Sequence, residues 1–292
     1  MSDLKPFIDS SNLLGQPDAL RARIQQEGYL FLRGLVPTSA LSEVYDAIMD
    51  ICKDCNWADS EGHAQGPARI EGAPEFWEVY DRVQQLEVFH ALAHRPELFD
   101  LIEVLVKETP FLHPRNISRI TFPQTEKFTT PPHQDYVHIQ GTPDVFTTWI
   151  PLSDCPQALG GVAVLAGSHV HDILPVHKAS GAGGLGIDTD ELDLPWHTID
   201  YKLGDVLVFH SHTVHKGLPN RTTNQLRISV DYRYQGVSGA IVEDGLIPHY
   251  NRLGWEQIYQ GWQRKDLQYY WRNLPLHTVE RDRSYHQNAK VK

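Results

Sequence analysis

Two stretches of the chain carry residues able to bind a metal. His133-Gln134-Asp135 sets a histidine and a carboxylate two positions apart, and in extended chain such residues project to the same side. The second stretch, Gly204-Asp205-Val206-Leu207-Val208-Phe209-His210-Ser211-His212-Thr213-Val214-His215, is an apolar strand opened by a Gly-Asp turn and closing in histidines. Together they offer two histidines and one carboxylate, with His210, His212 and His215 all available as the last ligand. Such a set on one face of an octahedral metal leaves three positions open, the arrangement of non-haem Fe(II) oxygenases. A structural zinc site is instead closed by four protein ligands.

Twelve residues beyond His215 comes Arg227-Ile228-Ser229, in an extended run where alternate residues face the same way. An arginine and a hydroxyl pointing together into a core call for an anion, and a planar guanidinium suits a carboxylate. That carboxylate is either a cosubstrate's or that of an ordinary Asp or Glu partner.

These residues need a scaffold. From Pro110 to about Gly236 the chain shows short extended runs separated by Gly, Pro, Asn and Asp, which predicts a β-core over 110–236. Asn116 to Phe122 alternates, with Ile117, Arg119 and Thr121 on one face, and Phe146 to Leu152 and Gly161 to Leu165 are β-prone. The first third, 1–109, reads as mainly helical. Helices are predicted from Pro17 to Glu27, from Pro37-Thr38-Ser39 through Cys52, from about Pro74 to His94, and from Pro96 to Glu108. A short strand is expected at Tyr29 to Leu32. Trp255, Ile258, Tyr259 and Trp262 repeat at helical spacing and predict a packing helix in a helical extension over 237–292. The glycine-rich run from Ser180 to Gly186, with Asp188, Asp190, Glu191 and Asp193 behind it, reads equally as a lid or as a surface insertion. Helices on both sides look like cover for one β-core, so 1–292 is expected to be a single domain.

Composition narrows the function classes. With 292 residues, 41% hydrophobic and 22% charged, the chain has the make-up of a soluble globular protein. It contains no apolar run of about 18 residues, so no transmembrane helix is expected. A net charge of -11 disfavours nucleic acid as partner. Three cysteines suggest no disulfide framework, and the absence of a signal-like N-terminus points to the cytoplasm. Cys52-Lys53-Asp54-Cys55 has thioredoxin-like spacing but lies in a helical pattern with no preceding strand, which favours buried structural thiols. Nothing in the chain specifies an oligomeric state.

With these residues in view, the sequence resembles the phytanoyl-CoA dioxygenase family of Fe(II)/2-oxoglutarate-dependent oxygenases. Its blocks occur in order: Pro132-His133-Gln134-Asp135, Trp149-Ile150-Pro151-Leu152, Gly160-Gly161 through Ser168-His169, Gly204-Asp205 through Phe209-His210, His215-Lys216-Gly217 and Arg227-Ile228-Ser229. The likeness covers about residues 17 to 236 and is nearer to bacterial secondary-metabolism hydroxylases, some acting on terpenoid acids, than to the peroxisomal lipid enzyme. The ending Lys290-Val291-Lys292 carries no peroxisomal signal.

The resemblance implies a mainly β fold with helical cover, built on a double-stranded β-helix, a jelly-roll and cupin-like core. It makes His133, Asp135 and His215 the iron ligands, and leaves His210 outside the set. It gives Arg227 the distal carboxylate of 2-oxoglutarate, supported by Ser229, with Trp149 lining the cosubstrate pocket. Arg119 is expected to hold the cosubstrate or an acidic substrate group, or else to form a structural salt bridge. The implied cofactors are Fe(2+), 2-oxoglutarate and O2, and the implied reaction hydroxylates an unactivated C–H bond of a small molecule with release of succinate and CO2. Asp135 speaks against the family's halogenases, which carry a small residue there. A cupin-like isomerase or hydrolase using zinc or manganese is the rival, but it leaves Arg227 and Ser229 without a role; a non-catalytic barrel is the third reading. For the substrate pocket, Tyr136, Phe146 and Trp196 are expected as an apolar wall, and Arg119 or Lys216 as the partner of an acid.

Overall fold

The computed structural model describes residues 4–291. The helical first third forms as four-residue periodicity demands. Pro17–Glu27 begins with proline in its first turn, where a missing N–H costs nothing, and stops at Gly28. Gly28 sits at φ +78°, and a Cβ there would press into the His169 ring, so only glycine turns the chain into the strand Tyr29–Leu32. Helices Thr38–Asp54 and Pro96–Val106 follow the predicted spacing, burying Leu41, Val44 and Ile48 in the first and Leu98, Ile102 and Leu105 in the second.

The predicted helix from Pro74 to His94 is two helices, Pro74–Gln84 and Glu87–Ala93. The break follows from two captured carbonyls. The oxygen of Gln84 meets His90 Nε2 at 3.0 Å and that of Gln85 accepts from Trp262 Nε1 at 2.9 Å, and Leu86 adopts extended backbone between the helices.

A six-stranded antiparallel sheet carries the core, with Tyr29–Leu32, Val206–His210, Val145–Pro151 and Arg227–Gly236 as successive neighbours. Two short strands lie end to end along Arg227–Gly236: Pro110–Leu112 opposite Tyr234–Gly236, and Ile117–Thr121 opposite Arg227–Asp231. Alternation divides this sheet between two cores. Leu30, Ile150, Val208, Ile228, Val230, Tyr232 and Tyr234 face the helices. Tyr29, Phe31, Trp149, Leu207 and Phe209 face Val162 and Val164 of a second sheet. That sheet runs Lys5–Pro6, Trp196–Thr198, Val162–Leu165, His215–Gly217.

The two sheets face one another without closing into a barrel among the described residues. With the helical layer behind the large sheet, the fold is mixed α/β rather than mainly β. The C-terminal segment also differs from expectation. Its helix is a single turn, Trp255–Ile258, followed by short 3-10 turns, because Gly261 takes φ +84° and reverses the chain. The aromatic residues still pack, with Trp255, Tyr259, Trp262 and Trp271 clustered on Phe111 and Ile241. No helix among the described residues is long and apolar enough to cross a membrane.

Candidate metal centre

His133 and His215 lie opposite each other in an isolated antiparallel bridge, each backbone N–H donating to the other's carbonyl at 3.0 Å. Directly opposed residues project to the same face, which brings the imidazole centroids to 4.1 Å. Asp135 Oδ1 stands 3.6 Å from His133 Nε2 and 3.8 Å from His215 Nε2. The three groups thus form a metal-sized cluster, their ligand atoms all within 4.8 Å of one another.

Hydrogen bonds prepare each group. His133 Nδ1 lies 2.8 Å from the Pro131 carbonyl, and His215 Nδ1 lies 3.0 Å from that of Thr213. A carbonyl only accepts, so Nδ1 carries the proton in both rings and the Nε2 lone pairs turn to the cluster. Burial, helped by the neighbouring His133, pushes the His215 pKa down to about 3 and keeps the ring neutral. Burial alone would raise the Asp135 carboxyl, but Arg233 and the two histidines override it and hold its pKa well below the usual carboxylate range. The Thr147 hydroxyl donates to Asp135 Oδ2 at 2.6 Å, and Arg233 straddles both oxygens at 3.3 Å. Two neutral imidazoles and a fixed carboxylate are the donor set that Fe(II) takes while leaving open positions.

Of the three downstream histidines, only His215 joins the cluster. His210 points away toward Asp144, 3.6 Å distant, and His212 packs on Tyr136. His169 is held by the Gln25 carbonyl, and His138 is buried beside the His133 ring, its pKa pushed down to about 3.

The strand Arg227–Gly236 supplies the cavity's charged wall. Arg227, Ser229, Asp231 and Arg233 alternate on its inner face, opposite Thr121, Arg119 and Trp149 on the neighbouring strands. Arg227 is buried, donating from Nη1 to Ser229 Oγ at 2.7 Å and from Nη2 to Thr121 Oγ1 at 2.8 Å, with its guanidinium 5.9 Å from the Trp149 ring. Its Nε has no partner, and no carboxylate forms an ion pair with it among the described residues. Burial presses its pKa down. A buried cation in this condition fits an anionic ligand, and Arg227, Trp149 and the three ligand residues line one inner cavity of about 50 Å3.

Arg119 is differently placed. Glu71 accepts from Nη1 at 2.8 Å and Asp231 from Nε at 3.3 Å, so its charge is already met. The salt-bridge alternative describes it.

An outer cleft of about 770 Å3 adjoins the same triad through His133, Asp135 and Arg233. Its walls are not those expected. Tyr136 packs on His212, Phe146 belongs to the helix-facing core, and Trp196 is buried beneath Lys216, whose Nζ lies 3.8 Å from the ring centroid. Trp77, Ile117, Ile139, Ile241, Ile247 and Tyr250 form the apolar surface instead, and Gly181 to Gly184 cover one side. The glycine-rich loop is therefore part of the cleft wall.

Arg233 was not anticipated. The alternation that paired Arg227 with Ser229 continues through Asp231 and Arg233, so the signal was present in the sequence. Cys52 and Cys155 are buried thiols with pKa values raised to about 12 and about 11, as structural cysteines are.

Residues 24–229 match the family described as Phytanoyl-CoA dioxygenase (PhyH). The chain belongs to this family. It is 27% identical over 262 residues to the 1-deoxypentalenic acid 11-beta-hydroxylase of Streptomyces exfoliatus, spanning 84% of this chain and 90% of that protein. The corresponding Streptomyces arenae hydroxylase is 27% identical over 258 residues, spanning 83% of this chain and 89% of that protein.

Among solved structures, the non-heme alpha ketoglutarate dependent epimerase SnoN from nogalamycin biosynthesis aligns with TM-score 0.55 and 19% identity, over 77% of this chain and 85% of that one. The carbocyclase SnoK from the same biosynthesis aligns with TM-score 0.53 and 22% identity, over 81% and 90%. These likenesses are of fold, and they relate the two facing sheets to the cupin-like core of Fe(II)/2-oxoglutarate enzymes. Family membership and the triad together mark this phytanoyl-CoA dioxygenase family member as an Fe(II)/2-oxoglutarate-dependent oxidoreductase.

Proposed function

We propose that the chain is a 2-oxoglutarate-dependent dioxygenase that hydroxylates an unactivated C–H bond of a small molecule, releasing succinate and CO2. The observation that carries this reading is the buried, carboxylate-free Arg227 in the same cavity as His133, Asp135 and His215. Residues 1–292 act as one domain on a double-stranded β-helix core, and the setting is cytoplasmic.

In this reading His133, Asp135 and His215 hold Fe(II), and Arg227 binds the far carboxylate of 2-oxoglutarate while Ser229 and Thr121 fix its guanidinium plane. Bound together, iron, 2-oxoglutarate and O2 supply an oxidant able to take hydrogen from an unactivated C–H bond. Trp149 and Phe209 wall the inner cavity and exclude water from it. Arg233 and Thr147 keep Asp135 ionised and oriented, so the carboxylate neither takes a proton nor turns away. The outer cleft presents the substrate to the triad from the side of His133 and Asp135.

A zinc-dependent hydrolase of cupin type would use the same triad but give the buried charge of Arg227 no partner. Turnover under 18O2 separates the two. The dioxygenase forms succinate carrying one labelled oxygen and consumes 2-oxoglutarate with Fe(II); a reaction that proceeds with Zn(II) and without 2-oxoglutarate sinks the proposal.

A further inference from the structure

Four guanidinium groups line the outer cleft, and three are neutralised in place. Arg119 is met by Glu71 and Asp231, Arg233 by Asp135, and Arg281 by a two-pronged pair with Asp244 at 2.6 and 2.7 Å. Arg115 differs. It donates from Nε to the Ile247 carbonyl at 3.3 Å and from Nη2 to the Asp244 carbonyl, and forms no ion pair with a carboxylate among the described residues.

Those two bonds fix the plane of the guanidinium and use one of its edges. Nη1 makes no bond in this arrangement and remains for a ligand. The histidines of the cleft add no competing cation at neutral pH. Burial pushes His113 down to about 4 and His138 to about 3, and holds His249 well below the ordinary value and His286 below it.

The cleft's carboxylates are Glu71, Asp135 and Asp244, each already bound to one of the other three arginines. One positive charge is thus left over, on a half-buried side chain in a cleft otherwise walled by Trp77, Tyr250 and isoleucines. Charge left unpaired beside apolar walls is costly unless a ligand meets it.

We infer that Arg115 is the specificity residue for the substrate, and that the substrate is a monocarboxylate with an apolar body. A single unmatched charge complements a carboxylate of charge -1. A phosphomonoester, at about -1.5 to -2, would bring excess negative charge into the same walls. A cleft of about 770 Å3 holds a drug-sized hydrocarbon body and no long polar handle. The inference rests on the proposed reaction for the role of the triad, but Arg115 recognises its ligand at a separate place.

The test is anaerobic calorimetry on the protein loaded with Fe(II) and saturating 2-oxoglutarate, which fills the Arg227 site. The probes are alicyclic monocarboxylic acids of graded size, each with its neutral amide and its phosphonate analogue. Wild type, Arg115→Lys and Arg115→Gln are compared, with melting curves to establish folding. At least one acid is expected to bind wild type about ten- to a hundred-fold tighter than its amide, as a charge-assisted hydrogen bond provides. The preference persists in Arg115→Lys and vanishes in Arg115→Gln.

The inference is overturned if no acid outbinds its amide, if the preference survives in Arg115→Gln, or if phosphonates bind tightest. Failure of the proposed reaction reads out elsewhere, as absence of the Fe(II)/2-oxoglutarate absorption band, and the same calorimetry on the metal-free protein still reports on Arg115.

Discussion

The inner cavity and the outer cleft meet at His133, Asp135, Arg119 and Arg233, yet they are built from different material. The inner cavity is walled largely by strands in fixed register: Arg227 opposite Thr121, Ser229 opposite Arg119, Asp231 opposite Trp149, Arg233 opposite Thr147. The outer cleft is walled largely by connecting segments, around Glu71, Gly181 to Gly184, and Asp244 to Asn251. Strand register ties the place of each inner side chain to its neighbours, so the chemistry there resists variation. Connecting segments change without disturbing either sheet, so the choice of substrate resides in them.

The comparison breaks first, and most heavily, at the triad. His215→Ala is expected to abolish stoichiometric Fe(II) binding and turnover, read by metal analysis after desalting, while the melting curve remains cooperative. Arg233→Met comes next, because it removes the counter-charge from a buried carboxylate. Fe(II) affinity should fall roughly 10- to 100-fold, as for other supports of metal ligands, measured by competition with a chromogenic chelator. Unchanged affinity would mean Thr147 alone orients Asp135.

A cleft substitution supplies the contrast. Trp77→Ala is expected to change which probes bind while leaving Fe(II) and 2-oxoglutarate affinity within about 0.5 kcal/mol of wild type, as for changes away from a site. A large loss of 2-oxoglutarate affinity in that variant would show that the two cavities are not independent.

A smaller, graded effect comes from acid. His113 in the cleft and His90 behind it are buried, each with its pKa pushed down to about 4. The unfolded chain takes up protons near pH 6.5 whereas the folded one resists until about 4, so stability is full above 6.5 and declines as pH falls toward 4. The loss is on the order of a few kcal/mol, and His113→Asn should flatten the slope of melting temperature against pH.

What was legible in the sequence follows the same division. Helix Pro17–Glu27 and the strands around Arg119, Trp149 and Arg227 were readable because periodicity and alternation are local properties. The reading of Arg227 with Ser229 stopped two positions short, and so missed Asp231 and Arg233 on the same face. Among His210, His212 and His215, spacing alone did not choose; the backbone bridge between His133 and His215 does. The break after Gln84 was hidden because it depends on Trp262, 178 residues away along the chain. Tyr136, Phe146 and Trp196 were plausible cleft walls by type, but which way each faces is decided by packing against His212, the helical layer and Lys216.

The central claim is that one cavity holds both the iron ligands and the arginine for 2-oxoglutarate. Anaerobic titration of the metal-free protein with Fe(II) and 2-oxoglutarate tests it most directly, followed through the weak visible charge-transfer band of the chelate, with His215→Ala and Arg227→Ala alongside. The account predicts a saturable band in the wild type that is lost in both variants at the same ligand concentrations. Iron binding without a band in the wild type, or a band undiminished in Arg227→Ala, would contradict it.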